Sequence, residues 1–457
     1  MDENNLKGKT AAFLSLGCKV NSYETEAMRE LFEKAGARTV AFSEKADIYV
    51  INTCTVTNIA DRKSRQMLHR ARKKNPESIV VAAGCYVQAA AEEVRKSLAV
   101  DVLVGNQQKK QVVSLVLAYL AGKQENNIPE ISREREYEEL KLDTVEEKTR
   151  AFIKIQDGCN QFCSYCIIPF ARGRIRSRNE SEIIKEITKL VEKGYQEVVL
   201  TGIHLSSYGF ENYPEKQRFD LEIPGKQAPL LELVQKIDKI PGLARIRLGS
   251  LEPRIITEEF AANLAATKVC PHFHLSLQSG CDATLSRMNR RYNTERYLKS
   301  CEILRYYFKN PALTTDVIVG FPKETEKEFE ETEKFLRKVG FAGMHIFKYS
   351  ARQGTKAAAM TGQVEEQIKA QRSDRLFALE KKMRNTYEAL FEGKNVEILF
   401  EEEVFAGGER FMTGHNERYI RFAVKTDKDL SNKILLCRSM AESVIISENK
   451  VHLAEML

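Results

Sequence analysis

Apolar residues in this chain fall into two patterns. Short unbroken runs end in small or turn residues: Thr10–Leu16, Ile48–Asn52, Ile79–Ala83 and Val102–Val104. Between them lie stretches with one apolar side per helical turn, Ser22–Ala35 before Gly36 and Arg62–Lys74. Runs that are apolar on both faces suit strands covered by helices on both sides. Residues 10–120 therefore predict a small doubly wound parallel sheet, which places ligands at the carboxyl ends of its strands.

The pattern changes over 121–148, where Lys, Glu, Asn and Arg dominate; this predicts a charged linker or surface helix. From Ala151 to about Ser350 the alternation resumes. Strands are expected at Ala151–Gln156, Glu197–Thr201, Arg245–Leu248, His272–Leu277, Thr314–Val319 and Gly343–Lys348. Helices are expected at Glu180–Lys193, Leu230–Ile240, Thr294–Lys309 and Glu324–Val339. Six such units make a parallel sheet, either a partial barrel or a flat doubly wound one. Ala370–Leu390 reads as a long charged helix. Beyond it, Val396–Phe400, Glu409–His415, Ile420–Val424, Lys433–Cys437 and Ser443–Ile446 read as five short strands of a small barrel. The expected organisation is a multidomain α/β chain. A doubly wound domain spans 8–120, a linker 121–148, a core 149–385 and a small β-barrel 390–457.

A length of 457 residues exceeds one ordinary core, and 43% hydrophobic residues indicate a globular chain. The net charge, 71 − 64 = +7, is compatible with a nucleic-acid partner. The first residues are polar and acidic, unlike a signal peptide, and the longest apolar run, Val112–Ala121, is too short for a bilayer. A soluble cytoplasmic chain without membrane attachment is expected. Its ten cysteines then favour metal binding over disulfides.

Cys159, Cys163 and Cys166 have the spacing C-x3-C-x2-C. A turn this tight aims three thiols at one point, and a four-iron cluster held by three thiolates keeps one iron open. Paired C-x2-C motifs, the usual zinc signature, are absent at this stretch. Cys18, Cys54 and Cys85 each follow a predicted strand, with 35 and 30 residues between them. The topology gathers them at one sheet edge, as three buried free thiols or as a second three-cysteine centre. Cys270, Cys281, Cys301 and Cys437 have no partner spacing and read as plain thiols. Asp61–Asn75 holds seven Arg or Lys, a solvated face or a phosphate contact. Arg172, Arg174, Arg176 and Arg178 read the same two ways.

The Cys159–Cys166 stretch, with Tyr165 as the aromatic before the last cysteine, resembles the signature of the radical S-adenosylmethionine enzymes. The resemblance implies a (β/α)6 partial barrel, a [4Fe-4S] cluster on Cys159, Cys163 and Cys166, and S-adenosylmethionine on the open iron. It implies cofactor contacts at Tyr165, at Thr201 and Gly202, at Ser276 and Gln278 with Arg287, and at Asp316 and Gly320. The Gly-Gly-Glu segment of that superfamily has its counterpart at Thr201-Gly202-Ile203-His204, which lacks the Glu.

Gly17-Cys18-Lys19-Val20-Asn21, Asn52-Thr53-Cys54 and Ala83-Gly84-Cys85 resemble the N-terminal domain of the methylthiotransferases. That implies a second [4Fe-4S] cluster on Cys18, Cys54 and Cys85, which with the other trio carry the catalysis. It also implies a C-terminal TRAM domain for RNA, an electron donor and a sulfur source. Lys19-Val20 resembles the branch acting on N6-threonylcarbamoyladenosine beside the tRNA anticodon, so the anticodon stem-loop is the expected partner. The isopentenyladenosine branch usually has Gln-Met there, and the ribosomal-protein branch Pro-Lys. From Asn395 onward the TRAM region carries 8 Arg plus Lys against 11 Asp plus Glu, leaving Arg410, Arg418 and Arg421 as its expected RNA patch. A non-catalytic iron–sulfur RNA-binding protein is the alternative of another class.

Overall fold

Five parallel strands open the chain: β1 (Thr10–Ser15), β2 (Arg38–Val40), β3 (Ile48–Thr53), β4 (Ile79–Gly84) and β5 (Val102–Val104). The computed structural model describes residues 5–457 apart from 98, 124–126, 143–148, 215, 217–219 and 222–225. The strand order is β2-β1-β3-β4-β5. Every residue of β3 and β4 is buried, as their unbroken apolar runs require. Met28, Phe32 and Leu115 cover one face from helices Lys19–Lys34 and Val112–Leu120, and Leu68 and Ala71 cover the other from helix Asn58–Lys74. The order reverses between β1 and β3, which is where such sheets open a crevice. The strand β2, three residues long, has no apolar run to announce it.

Six further parallel strands form the centre. They are β6 (Arg150–Lys154), β9 (Glu197–Thr201), β10 (Arg245–Leu248), β11 (His272–His274), β12 (Ala312–Val319) and β13 (Gly343–Lys348); a small ribbon pairs β7 (Gln156–Asp157) with β8 (Arg176–Ser177). They pair as β6-β9-β10 and β11-β12-β13. The two halves join where Leu251 N donates to His274 O at 2.8 Å and Ser276 N to Leu251 O at 3.0 Å. Among the described residues nothing pairs β13 with β6, so the barrel is open on that side. Ala151, Ile153, Val198, Leu200, Ile246, Phe273 and Val317 pack under the surrounding helices. The alternate positions carry Arg150, Glu197, Arg247, His274, Asp316 and His345, which therefore face the interior.

Helix Glu366–Glu388 leads into a closed five-stranded barrel. Its strands are β14 (Asn395–Ala406), β15 (Glu409–Asn416), β16 (Arg421–Lys425), β17 (Ile434–Ile446) and β18 (Asn449–Met456). Two expected strands, Lys433–Cys437 and Ser443–Ile446, are one strand with a register shift between Ser439 and Ser443. The polar stretch between them reads as a turn but is a bulge. The fifth strand is β18.

The 127–142 segment is not a surface helix: its one regular element is the 3-10 turn Ile131–Arg133. Ile131, Leu140 and Leu142 are buried, and Tyr137 Oη donates to Lys154 O at 2.9 Å. The segment is mortar between the first sheet and the central barrel. Among the described residues no helix is long and apolar enough to cross a membrane.

Candidate active site

The loop bearing Cys159, Cys163 and Cys166 leaves β7 through Gly158 at φ +70°, where an added Cβ would lie 1.9 Å from Arg174 O. Only glycine fits. Phe162 also adopts positive φ, +48°, in the first gap between the cysteines. The loop is clamped from outside. Cys159 N donates to Gly173 O at 3.1 Å, Ser164 Oγ to Arg287 O at 2.8 Å, and Asn289 Nδ2 to Phe162 O at 3.0 Å. Burial and the neighbouring Cys163 push the Cys159 thiol up to about 12. Burial, Cys163 and Cys159 push Cys166 higher still. The raised Cys159 and Cys166 thiols keep their protons until a metal displaces them. Cys163 and Cys166 nonetheless keep accessible surface, so they line a recess. Arg290 Nη1 donates to Cys163 Sγ at 3.1 Å.

The second trio follows the first sheet. Cys18 caps helix Lys19–Lys34, Cys54 follows β3, and Cys85 begins helix Cys85–Ala89 directly after β4. A Cβ on Gly17 would sit 2.8 Å from Cys54 Sγ, which brings the first two loops into contact. Burial raises the Cys18 thiol, with Cys85 adding to it against the pull of Arg172. Burial, Cys85 and Cys18 raise Cys54 to about 11. Cys18 keeps open surface even though protein crowds it. A set of three soft donors, here with Cys18 exposed, fits an iron–sulfur cluster with one iron left free. The same holds for the loop trio.

The two trios border one junction. Asn106 Nδ2, after β5, donates to Ala171 O at 2.7 Å, five residues beyond Cys166. Arg352, after β13, donates to Thr55 Oγ1 at 2.7 Å beside Cys54, and pairs with Asp61 at 2.6 Å. Arg172 is fully buried and reaches Cys85 Sγ at 3.2 Å, Glu24 at 2.9 Å, Asn21 at 2.6 Å and Asp157 at 3.1 Å. Lys154 and Lys109 join Glu24 at 2.7 and 3.1 Å. Burial would raise the Glu24 carboxyl, but Arg172, Lys109 and Lys154 hold it well below the usual carboxylate range. The arginine run is thus neither a phosphate contact nor a solvated face at Arg172, Arg176 and Arg178, all buried. Spacing alone does not separate a solvated arginine from one enclosed by carboxylates of distant segments. Arg174 stays partly exposed, its guanidinium 4.5 Å from the Phe162 ring centre.

The other candidate positions lie toward the carboxyl ends of the central strands or in the segments that follow them. Tyr165 stands edge-on to Phe321, with ring centres 6.4 Å apart. Thr201 ends β9, and Gly202 lies against Gln156, where a Cβ would meet Oε1 at 2.9 Å. Ser276 follows β11, and its carbonyl accepts from Tyr292 Oη. Gln278 has φ +75° and donates from N to Asp316 O at 2.9 Å. Gly320 N donates to Glu324 Oε2 at 2.7 Å after β12. Arg287 is engaged elsewhere: Glu328 accepts from both its Nη atoms at 2.8 and 2.9 Å. Asp316 Oδ2 lies 3.3 Å from His274 Nε2, and with His345 the three converge in the barrel interior. Cys270, Cys281, Cys301 and Cys437 are buried and apart from these sets.

Sequence reasoning missed Glu252 and Arg254, which follow β10 in the 3-10 turn Pro253–Ile255. Arg254 Nε donates to Glu252 Oε1 at 2.9 Å, and Glu252 N to Ser206 Oγ at 2.9 Å beside His204. Their only advance signal is position, at a strand's carboxyl end. The expected Arg410, Arg418 and Arg421 patch is not a free cationic surface. Arg410 pairs with Glu403 and Arg421 with Glu402, both at 2.6 Å, and Arg418 pairs with Glu417.

The family model of the radical SAM superfamily matches residues 153–336, and that of uncharacterized protein family UPF0004 matches 10–105. The chain is 40% identical over 430 residues to the threonylcarbamoyladenosine tRNA methylthiotransferase MtaB of Bacillus subtilis, covering 93% of this chain and 92% of that one. A tRNA-2-methylthio-N(6)-dimethylallyladenosine synthase of Moorella thermoacetica is 35% identical over 409 residues, covering 86% and 87%. A solved radical S-adenosylmethionine methyltransferase, TsrM of Kitasatospora setae, superposes with TM-score 0.56 at 15% identity over 76% of each chain, a likeness of fold. With one trio in each matched region and relatives along nearly the whole length, the chain belongs to the radical S-adenosylmethionine methylthiotransferases that modify tRNA.

Proposed function

We propose that this enzyme places a methylthio group on C2 of N6-threonylcarbamoyladenosine, next to the tRNA anticodon. The observation that carries the reading is the meeting of two three-thiol sets at one junction. Cys159, Cys163 and Cys166 would hold the radical-generating cluster, and Cys18, Cys54 and Cys85 the auxiliary one. Together with S-adenosylmethionine these groups would supply the radical that removes the C2 hydrogen and the sulfur that replaces it. No side-chain base suffices, because that C–H bond has no acidic proton.

The chain's own residues position and shield. Arg290 and Arg172 each donate one N–H to a cysteine sulfur, one per trio, and such bonds tune a cluster's potential. Val56, Ile59 and Phe170 are 50%, 67% and 53% exposed on the segments just after Cys54 and Cys166. Exposed apolar groups on these segments suit a flat base leaving its stack. Arg62, Lys63, Arg70 and Lys73 stand exposed on helix Asn58–Lys74. They suit the phosphates of an anticodon stem. The small C-terminal barrel, read as a TRAM domain, would supply shape rather than charge.

The threonylcarbamoyl substrate is favoured by the MtaB relatives at 34–40% identity. The synthase-type relatives at 35% keep dimethylallyladenosine as the second reading. Nucleoside mass spectrometry of tRNA from cells lacking the protein decides between them. Loss of the methylthio derivative with threonylcarbamoyladenosine retained supports the proposal; loss of the methylthio dimethylallyl nucleoside instead supports the second reading. The electron donor and sulfur source are further expected partners.

A further inference from the structure

A buried polar atom without a partner calls for an explanation, and an absent ligand is one. Two such atoms lie near the cluster loop: His204 Nε2 and Arg254 Nη2, both shut off from solvent and without a hydrogen-bond partner among the described residues. Unlike the unpartnered Arg287 Nε, whose guanidinium is held by Glu328, they belong to successive strand-end loops, His204 after β9 and Arg254 after β10. Glu252 N to Ser206 Oγ, at 2.9 Å, ties those loops together.

Both side chains are held in place by other atoms. His204 N donates to Gln156 Oε1 at 2.8 Å, and its Nδ1 lies 2.6 Å from Ser207 Oγ. An anion pocket here takes the tautomer in which the Ser207 hydroxyl donates to Nδ1 and the ring proton sits on Nε2 as a donor. Arg254 Nε is fixed on both oxygens of Glu252 at 2.9 and 3.0 Å, which leaves Nη2 over. Burial, with the cations Arg290 and Arg254 nearby, lowers the His204 pKa to about 3. The ring is therefore neutral at physiological pH. With Glu252 neutralising one cation of the Arg254–Arg290 pair, a second cation and the two unpartnered donors remain to receive an anion's oxygens. The site borders the loop trio, since Gln156, which accepts from His204 N, also donates to Gly158 O at 2.7 Å, and Arg290 touches Cys163.

We propose that His204 and Arg254 form a carboxylate-binding pocket, and that its occupant is the threonyl carboxylate of the substrate nucleoside. This rests on the substrate reading given above. S-adenosylmethionine also carries a carboxylate, but on that reading the open iron takes it. An isopentenyl group would leave both buried donors unpaired. A site built to hydrogen-bond a group rejects analogues that lack it far more strongly than an apolar pocket rejects a missing methylene.

The test uses the anaerobically reconstituted enzyme with iron content verified for each variant. Stem-loop RNAs carrying threonylcarbamoyladenosine, isopentenyladenosine or plain adenosine at the target position are bound and followed by fluorescence anisotropy. S-adenosylmethionine affinity is measured by equilibrium dialysis. His204→Ala and Arg254→Gln should each weaken binding of the threonylcarbamoyl stem-loop about tenfold. Plain stem-loop and S-adenosylmethionine affinities should stay within about twofold, and His204→Gln, which keeps a terminal N–H, should recover part of the loss. If His204→Ala loses iron, the His204→Gln and Arg254→Gln proteins decide. Equal weakening of all three RNAs, or a fall in S-adenosylmethionine affinity alone, overturns the pocket assignment. A wild-type enzyme that does not prefer the threonylcarbamoyl RNA overturns the substrate reading itself. A wild-type preference that both variants retain overturns only the pocket.

Discussion

Arg172 Nε lies 3.2 Å from Cys85 Sγ, so a side chain of the central barrel reaches a thiol of the first sheet. The same guanidinium holds Glu24 and Asn21 of the first sheet's leading helix and Asp157 of β7, just before the cluster loop. One fully buried cation therefore ties the two cysteine trios together, beside the Asn106 and Arg352 links.

Replacing Arg172 by Met should separate these effects. Glu24 and Asp157 would keep charges inside the protein with less compensation, which costs about 3–5 kcal/mol. Chemical denaturation should show that loss. Arg172→Lys, which keeps the charge and cannot span all four partners, should recover part of it. In both variants electron paramagnetic resonance should report a shifted auxiliary-cluster potential, with the loop cluster's signal unchanged.

The Glu24 network also sets a pH dependence. Its folded carboxyl sits well below the usual range, so it contributes stability that is fully present above the unfolded value, about 4.3. That stability should be lost as pH falls through the range below. Unfolding free energy measured from pH 7 to pH 3 should decline in the wild type. Glu24→Gln should start lower and decline less steeply.

Gly158→Ala tests the loop geometry. A methyl 1.9 Å from Arg174 O cannot be accommodated without moving the backbone. The variant should keep the auxiliary trio and lose the loop trio, so bound iron should fall by about half for a chain with two four-iron clusters. Unchanged iron content would show that the positive φ is not needed.

Tyr419 tests how the small barrel is seated. It has φ +67°, stacks on His415 at 4.5 Å, and receives Arg247, Arg150 and Lys19 at 4.9, 5.0 and 5.9 Å from its ring centre. Tyr419→Ala should cost about 2–3 kcal/mol. It should also open the 389–394 connection to limited proteolysis, while iron content stays unchanged.

Much of this arrangement was legible before any coordinates. The β3 and β4 runs, apolar at nearly every position, announce strands covered on both faces, and Cys54 and Cys85 follow them directly. The alternation of Arg245–Leu248 and Gly343–Lys348 marks barrel strands to the residue. What stayed hidden depends on distant partners. Arg172, Arg176 and Arg178 look like a solvated run because their carboxylates come from residues 24, 139, 157 and 186. Lys19 lies over Phe152 and Tyr419 at the domain junction, which no local pattern foretells. Arg254 carries no motif, and its meaning comes from one unpartnered N–H.

The account rests on two metal centres, each held by three protein thiolates. Iron and acid-labile sulfide should be counted in anaerobically reconstituted protein, in the wild type and with either trio changed to Ala. The account expects about eight irons per chain in the wild type and about four after loss of either trio. A wild type holding only about four irons, unaffected by Ala at Cys18, Cys54 and Cys85, would contradict it.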